Sequence, residues 1–83
     1  MSTLARSSKQ LGLLIQRHRR ERGLSQTELA DLAGLRQELV SKIEGGQSGS
    51  RLSSIYALLA ALNLEMTIQP RTKSAADDMA DIF

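Results

Sequence analysis

The chain has 83 residues, no cysteine, a single histidine and a formal net charge of +2. That length makes one domain, and a domain this small buries only about 60% of the surface its unfolded chain exposes. Disulfides are excluded as stabilisers and no cluster of ligands suits a structural zinc, so helix packing and dimerisation are left to hold the fold.

Residues 1–8 are small and polar and read as a flexible N-terminus. Arg6 and Lys9 are followed by no apolar run long enough for secretion, and nothing approaches a membrane span. The expected location is the cytoplasm, with no membrane partner. Over residues 9–22, Leu11, Leu14 and Ile15 fall at helical spacing, and His18 continues the same face. Gly23 ends this first helix. His18 is open to two readings, a pH sensor or a packed or half-exposed core histidine.

Ser25-Gln26-Thr27-Glu28 has the form of a capping box, in which the Ser25 hydroxyl accepts from the Glu28 amide while the Glu28 carboxylate returns to the Ser25 amide. The second helix then runs to Ala33 and buries Leu29, Ala30 and Ala33. Gly34 permits a sharp turn with Leu35 beneath it. A third helix follows over 37–44, with Val40 and Ile43 inward, ended by Gly45-Gly46. Two short helices joined by a glycine-containing turn are the skeleton of a helix-turn-helix.

Residues 45–50 are a flexible loop by composition, and Ser50 is the expected cap of a fourth helix over 52–62. Its apolar face is Leu52, Ile55, Leu58, Leu59 and Leu62. The period then changes: Leu64, Met66 and Ile68 alternate with Glu65, Thr67 and Gln69 until Pro70. That is a strand pattern with no second strand in the chain to pair with it, so a symmetry mate is the natural partner. The alternative is an extended segment lying over the core. Residues 71–83 lack periodicity and carry Asp77, Asp78 and Asp81 without a base after Ser74. Their composition is that of a disordered segment. Residues 1–22, by contrast, hold six basic groups against one acid, Glu21. A basic front and an acidic tail suggest partners of opposite character.

The expected fold is therefore all-α: a compact four- to five-helix bundle with a helix-turn-helix, plus one short C-terminal strand pairing across a homodimer. Residues 1–8 form a flexible N-terminus, 9–63 the DNA-binding domain, 64–70 the dimerisation strand and 71–83 a flexible acidic tail. In a helix-turn-helix the second helix of the motif enters the major groove and its first turn meets base edges. The outward residues there are Arg36, Gln37 and Glu38, with Ser41 one turn on. Arginine suits guanine, glutamine suits adenine, glutamate can accept from cytosine, and serine adapts. Lys42 suits a phosphate, as do Ser25 and Gln26 at the start of the second helix, where amides and a positive dipole end approach the DNA backbone. Taken singly, these are ordinary solvated positions; taken together, they occupy the part of the motif that reads DNA.

The run Leu24-Ser25-Gln26-Thr27-Glu28-Leu29-Ala30, then Gly34-Leu35, then Val40-Ser41-Lys42-Ile43-Glu44-Gly45-Gly46, resembles the Cro and phage-repressor type of helix-turn-helix, the Xre family. The likeness covers residues 9–64. It implies a structural ion pair between Arg19, late in the first helix, and Glu44, which closes the third. Arg36 departs from the pattern, standing where many relatives carry a serine or threonine cap. After the fourth helix, residues 61–68 are similar to HipB-like antitoxins, whose strand pairs across the dimer. That resemblance implies operator DNA and a HipA-like kinase toxin as partners, with Ile82 and Phe83 of the tail as the toxin contact.

The sequence alone leaves two regulatory readings, a toxin–antitoxin repressor or a stand-alone phage-type or restriction-module regulator. A third possibility is a protein-interaction adaptor that has kept the fold and lost DNA binding, against which Arg36, Gln37, Ser41 and Lys42 argue. Catalysis is not expected: no cysteine nucleophile is present and no glycine-rich phosphate loop leads into a helix. No cofactor is expected either.

Overall fold

A computed structural model describes residues 4–71. Among them are four helices: α1 (Ser8–Glu21), α2 (Gln26–Ala33), α3 (Gln37–Glu44) and α4 (Leu52–Ala61). None of these helices is long and apolar enough to cross a membrane.

Each start and stop has a local cause. The Ser7 hydroxyl accepts from the Gln10 amide at 3.1 Å and fixes the first turn of α1. Its last turn carries Arg19 and Arg20, cations placed where the helix dipole is negative. At α2 the expected capping box is complete, with the Glu28 amide donating to Ser25 Oγ at 3.0 Å and the Ser25 amide to Glu28 Oε1 at 2.9 Å. Gly34 caps α2 in the left-handed region at φ +71°, and the Leu35 amide then bonds the Ala30 carbonyl at 2.9 Å. A side chain is rarely tolerated at that φ, so the sharp turn needs glycine.

The other two helices begin without such help. Arg36 and Arg51 are the N-caps of α3 and α4, and neither offers a side-chain cap. Ser50, expected to cap α4, lies one residue too early. After α4, Asn63 takes φ +57° and the Leu64 amide reaches back to the Leu59 carbonyl at 2.7 Å.

The core is Ile15 from α1, Leu29 and Ala30 from α2, Val40 and Ile43 from α3, and Ile55, Leu58, Leu59 and Leu62 from α4 and its end. Ala33 and Leu35 are only partly buried around it. Leu52 was expected on the inner face of α4 but is 59% exposed; Ser54 is buried there instead. Leu52 shares the helical face of Ile55 and Leu59, three and seven residues on, but it is the first residue of α4 and stays exposed there. Helix α3 packs on both α1 and α2, while α4 packs on α2. The α1–α3 crossing is close enough to require glycine. A Cβ on Gly12 would lie 2.8 Å from the Glu44 carbonyl oxygen and nearer still to that of Ile43.

Among the described residues, 64–69 form no hydrogen-bonded strand. Leu64 packs against the core, whereas Ile68 is 97% exposed. The tail expectations, including Ile82 and Phe83, fall outside the described residues.

Candidate nucleic-acid interface

Helix α3 has a sharply divided surface. Val40, Ile43 and Glu44 are buried, whereas Arg36, Glu38, Ser41 and Lys42 are exposed and Gln37 is partly buried. The buried positions recur at three- and four-residue spacing, so packing fixes the helix rotation and turns the remaining face outward. With no cap to make, the Arg36 side chain at the entrance to α3 is exposed.

Behind that face lies a polar network. The Arg19 guanidinium grips the Glu44 carboxylate with two bonds, Nε to Oε2 at 2.7 Å and Nη2 to Oε1 at 3.0 Å. Its Nη1 donates to the Leu24 carbonyl at 2.8 Å, tying the loop between α1 and α2 to the same pair. The two side chains retain only 9% and 1% of their accessible surface. The Glu44 hydrogen bonds raise the Arg19 pKa above its ordinary value, against the opposing effect of burial. Such a pair adds little over a well-packed apolar substitute, but removing one partner strands a buried charge. Its position ties the end of α3 to α1.

The network continues toward the surface. Gln26 Nε2 donates to Glu44 Oε1 at 3.1 Å, and Gln37 Nε2 donates to Gln26 Oε1 at 2.7 Å. Gln26, expected at the DNA backbone, is thus engaged at both ends of its amide by protein groups. The link between the first residue of α2 and the first residue of α3 was not anticipated from the sequence. Glutamine at both helix starts was its visible sign, but only the intervening turn brings them together.

Ser25 is exposed, and its Oγ accepts within the capping box while its hydroxyl proton stays available to a donor contact. The same box lowers the Glu28 pKa, first through the Ser25 backbone amide and then through the Ser25 side chain. His18 takes the half-exposed place expected of it on the apolar face of α1. It is partly exposed, with Nδ1 4.0 Å from Glu21 Oε1, on the wall of a groove of about 700 Å³. Leu11, Leu14 and Ile15 of α1 form that wall, and residues 64–71 form the other.

A helix-turn-helix family model matches residues 15–69. Over 58 residues the chain is 38% identical to an uncharacterized HTH-type transcriptional regulator of Haemophilus influenzae, a match that takes in 69% of this chain and 59% of that protein. The chain thus spans less than two thirds of that relative. It is 31% identical over 65 residues to the ImmF control region 10 kDa protein of Bacillus phage phi105, covering 78% of this chain and 72% of the relative. A chain of the solved HipA-HipB-O2-O3 complex superimposes with a TM-score of 0.79 at 27% identity, over 86% of this chain and all (100%) of that one. The HipB-O4 20mer complex gives the same TM-score of 0.79 at 27% identity, with 86% and 100% coverage.

Proposed function

The chain belongs to the Xre-type helix-turn-helix family of transcriptional regulators, and from that premise we propose that it is a repressor of its own operator and the antitoxin of a HipA/HipB-like pair. The observation that carries the DNA-reading part is the polar network that runs from the buried Arg19–Glu44 pair to Gln37 in the first turn of α3. A base-reading amide works best when held in place before the DNA arrives, and the bond to Gln26 supplies such support to Gln37.

In this reading α3 lies in the major groove. Arg36, Gln37, Glu38 and Ser41 face base edges, and Ser25 and Lys42 face phosphates. Gln26 supports Gln37 and meets the backbone with the amide proton it has left. Two copies join through residues 64–69, where Leu64, Met66 and Ile68 share one face of the strand and the partner supplies the missing backbone bonds. The two recognition helices then meet half-sites about one helical turn apart, roughly 34 Å. No cofactor enters this scheme.

The antitoxin part is supported by the solved HipB structures, one of them a complex with HipA and DNA. The toxin contact would be made by the tail that ends in Ile82 and Phe83. A stand-alone regulator is the second reading, favoured by the likeness to the phage phi105 control-region protein.

The test has two arms. Fluorescence anisotropy compares duplexes from the protein's own promoter with random duplexes across a salt series. The repressor reading requires tighter promoter binding, and Gln37→Ala should weaken it by about 1–3 kcal/mol while relaxing preference at one base pair. Equal loss on promoter and random DNA would contradict the base-reading role. The second arm co-purifies a HipA-like kinase of the same genome with the full chain and with a chain ending at Arg71. Retention by the full chain and loss on truncation supports the tail-docked antitoxin. Retention by both moves the contact to the helical body, and retention by neither favours the stand-alone regulator.

A further inference from the structure

The outward face of α3 carries one acid between two bases. Glu38, the second residue of the helix, is exposed, and its carboxylate makes no hydrogen bond or ion pair among the described residues. Arg36 stands two residues before it, and residues so spaced on a helix do not face each other. Lys42 stands four residues after it, the order in which glutamate and lysine pair well on a helix. Among the described residues, however, the two side chains are not joined. Around this acid the chain is strongly attractive to any duplex. Residues 1–22 hold six basic groups against one acid, and such charge binds phosphates whatever the sequence. Where attraction is so indiscriminate, selectivity is gained from a group that opposes it.

We propose that Glu38 is a specificity-determining residue that works by exclusion, lowering affinity for every duplex except one that sets an amine donor against its carboxylate. The inference rests on the reading of α3 as the helix in the major groove. It adds that Glu38 weakens DNA binding in general rather than strengthening it. A carboxylate entering the groove gives up water and approaches the phosphate rows, at a cost on any sequence. Only a donor on a base edge can offset that cost, because an ionised carboxylate only accepts. Cytosine N4 and adenine N6 are the donors of the major groove, whereas guanine presents N7 and O6 and thymine presents O4, all acceptors. At the base that Glu38 meets, cytosine and adenine are therefore tolerated, while guanine and thymine bring a second negative edge. A glutamine there would make no such choice, since its amide both donates and accepts.

Two other roles for Glu38 predict different results. If it is only an attractive base contact, removing its charge weakens promoter binding and leaves random DNA unaffected. If it serves to aim Lys42 at a phosphate, its loss weakens binding to all DNA alike.

The experiment measures the affinity of the full-length protein for a promoter duplex, a random duplex and promoter duplexes changed one base pair at a time, at low and at high salt. Glu38→Gln removes the charge at nearly constant shape, and Glu38→Asp keeps the charge on a shorter stem. Glu38→Gln should bind the random duplex at least about fivefold more tightly, the factor that one unit-charge contact supplies in water. The gain should shrink as salt rises, because the repulsion is screened. The promoter-to-random ratio should fall, with the lost selectivity confined to one base pair per half-site, where the wild type demands cytosine or adenine. Glu38→Asp should hold random-DNA affinity at the wild-type level while promoter affinity drops. An unchanged or lower random-DNA affinity in Glu38→Gln overturns the proposal, even where the wild type still selects its promoter. An equal gain in Glu38→Asp would assign the effect to shape and overturn it as well. A wild type that binds promoter and random duplexes alike removes the operator reading, and this proposal with it.

Discussion

Replacing Gly12 by alanine adds one methyl group in the middle of α1, and its expected effect has a sign opposite to the usual one. Glycine inside a helix costs about 0.5–1 kcal/mol relative to alanine, so at an open position the change would stabilise the protein by that amount. Gly12 is not open. The added Cβ would meet the carbonyl oxygens of Ile43 and Glu44, the latter at 2.8 Å, and the Glu44 carbonyl carbon at 3.0 Å. Carbon–oxygen contacts normally begin at about 3.3 Å. All three atoms are backbone, so no rotamer change relieves the clash and α3 has to move away from α1. Overpacking of this kind costs about 1–3 kcal/mol, and contacts this short with backbone place it toward the upper end, so after the gain in helix propensity a net loss of up to about 2.5 kcal/mol remains. Urea unfolding followed by circular dichroism, at one fixed protein concentration, reads this as a lower midpoint with an unchanged slope. The same shift of α3 should weaken DNA binding through the displaced first turn. A midpoint equal to or above that of the parent chain would show that the α1–α3 crossing is looser than described, and would refute the argument.

Arg19→Met should cost far more, about 3–5 kcal/mol, because it leaves the Glu44 carboxylate buried without its partner; a thermal midpoint close to the parent's would count against that. Ser25→Ala should cost about 1 kcal/mol through loss of the α2 cap, and it also bears on pH dependence. Folding lowers the Glu28 pKa through its Ser25 contacts, so the native state binds this proton less readily than the unfolded chain does. The resulting stabilisation is complete above the ordinary glutamate pKa, roughly 4.3, and is lost as pH falls through the lower native value. Ser25→Ala keeps the backbone amide that is the larger cause, so the clean test is Glu28→Gln. Its urea midpoints between about pH 6 and about pH 3 should show a shallower acid decline, and parallel curves would contradict the assignment. For the proposed dimer strand, Ile68→Asp should convert the dimer to a folded monomer, since Ile68 is 97% exposed in the single chain. Light scattering after size exclusion reads the mass, and an unchanged dimer would exclude that strand as the interface.

The motif at the centre of the fold could be read closely from sequence because its boundaries are local chemistry. Ser25 and Glu28 mark the start of α2, and Gly34 marks the turn into α3. α4 was less legible. It begins at Arg51 without a side-chain cap, so a serine one residue earlier drew the assignment, and Leu52 looked inward when only apolar periodicity was counted. Gln26 shows a different limit. A dipole argument sends it to the DNA backbone, but its amide is held by Gln37 and Glu44, 11 and 18 residues away. Spacing along the chain carries no record of such contacts until the turn has been built. Gly12 had a sequence sign, a glycine inside a helical pattern, but its cause is the approach of α3.

The divided surface of α3 bears on how such a protein changes over time. Arg36, Glu38, Ser41 and Lys42 are exposed, and among the described residues none makes a side-chain hydrogen bond or ion pair. Substitutions at positions of this kind usually alter stability by less than about 0.5 kcal/mol. The residues that hold the helix and those that meet the outside world therefore vary almost independently. If α3 reads DNA as proposed, a duplicated copy of the chain could acquire a new DNA address in a few steps while every intermediate still folds. Gln37, partly buried and bonded to Gln26, would then be the last letter of that address to change.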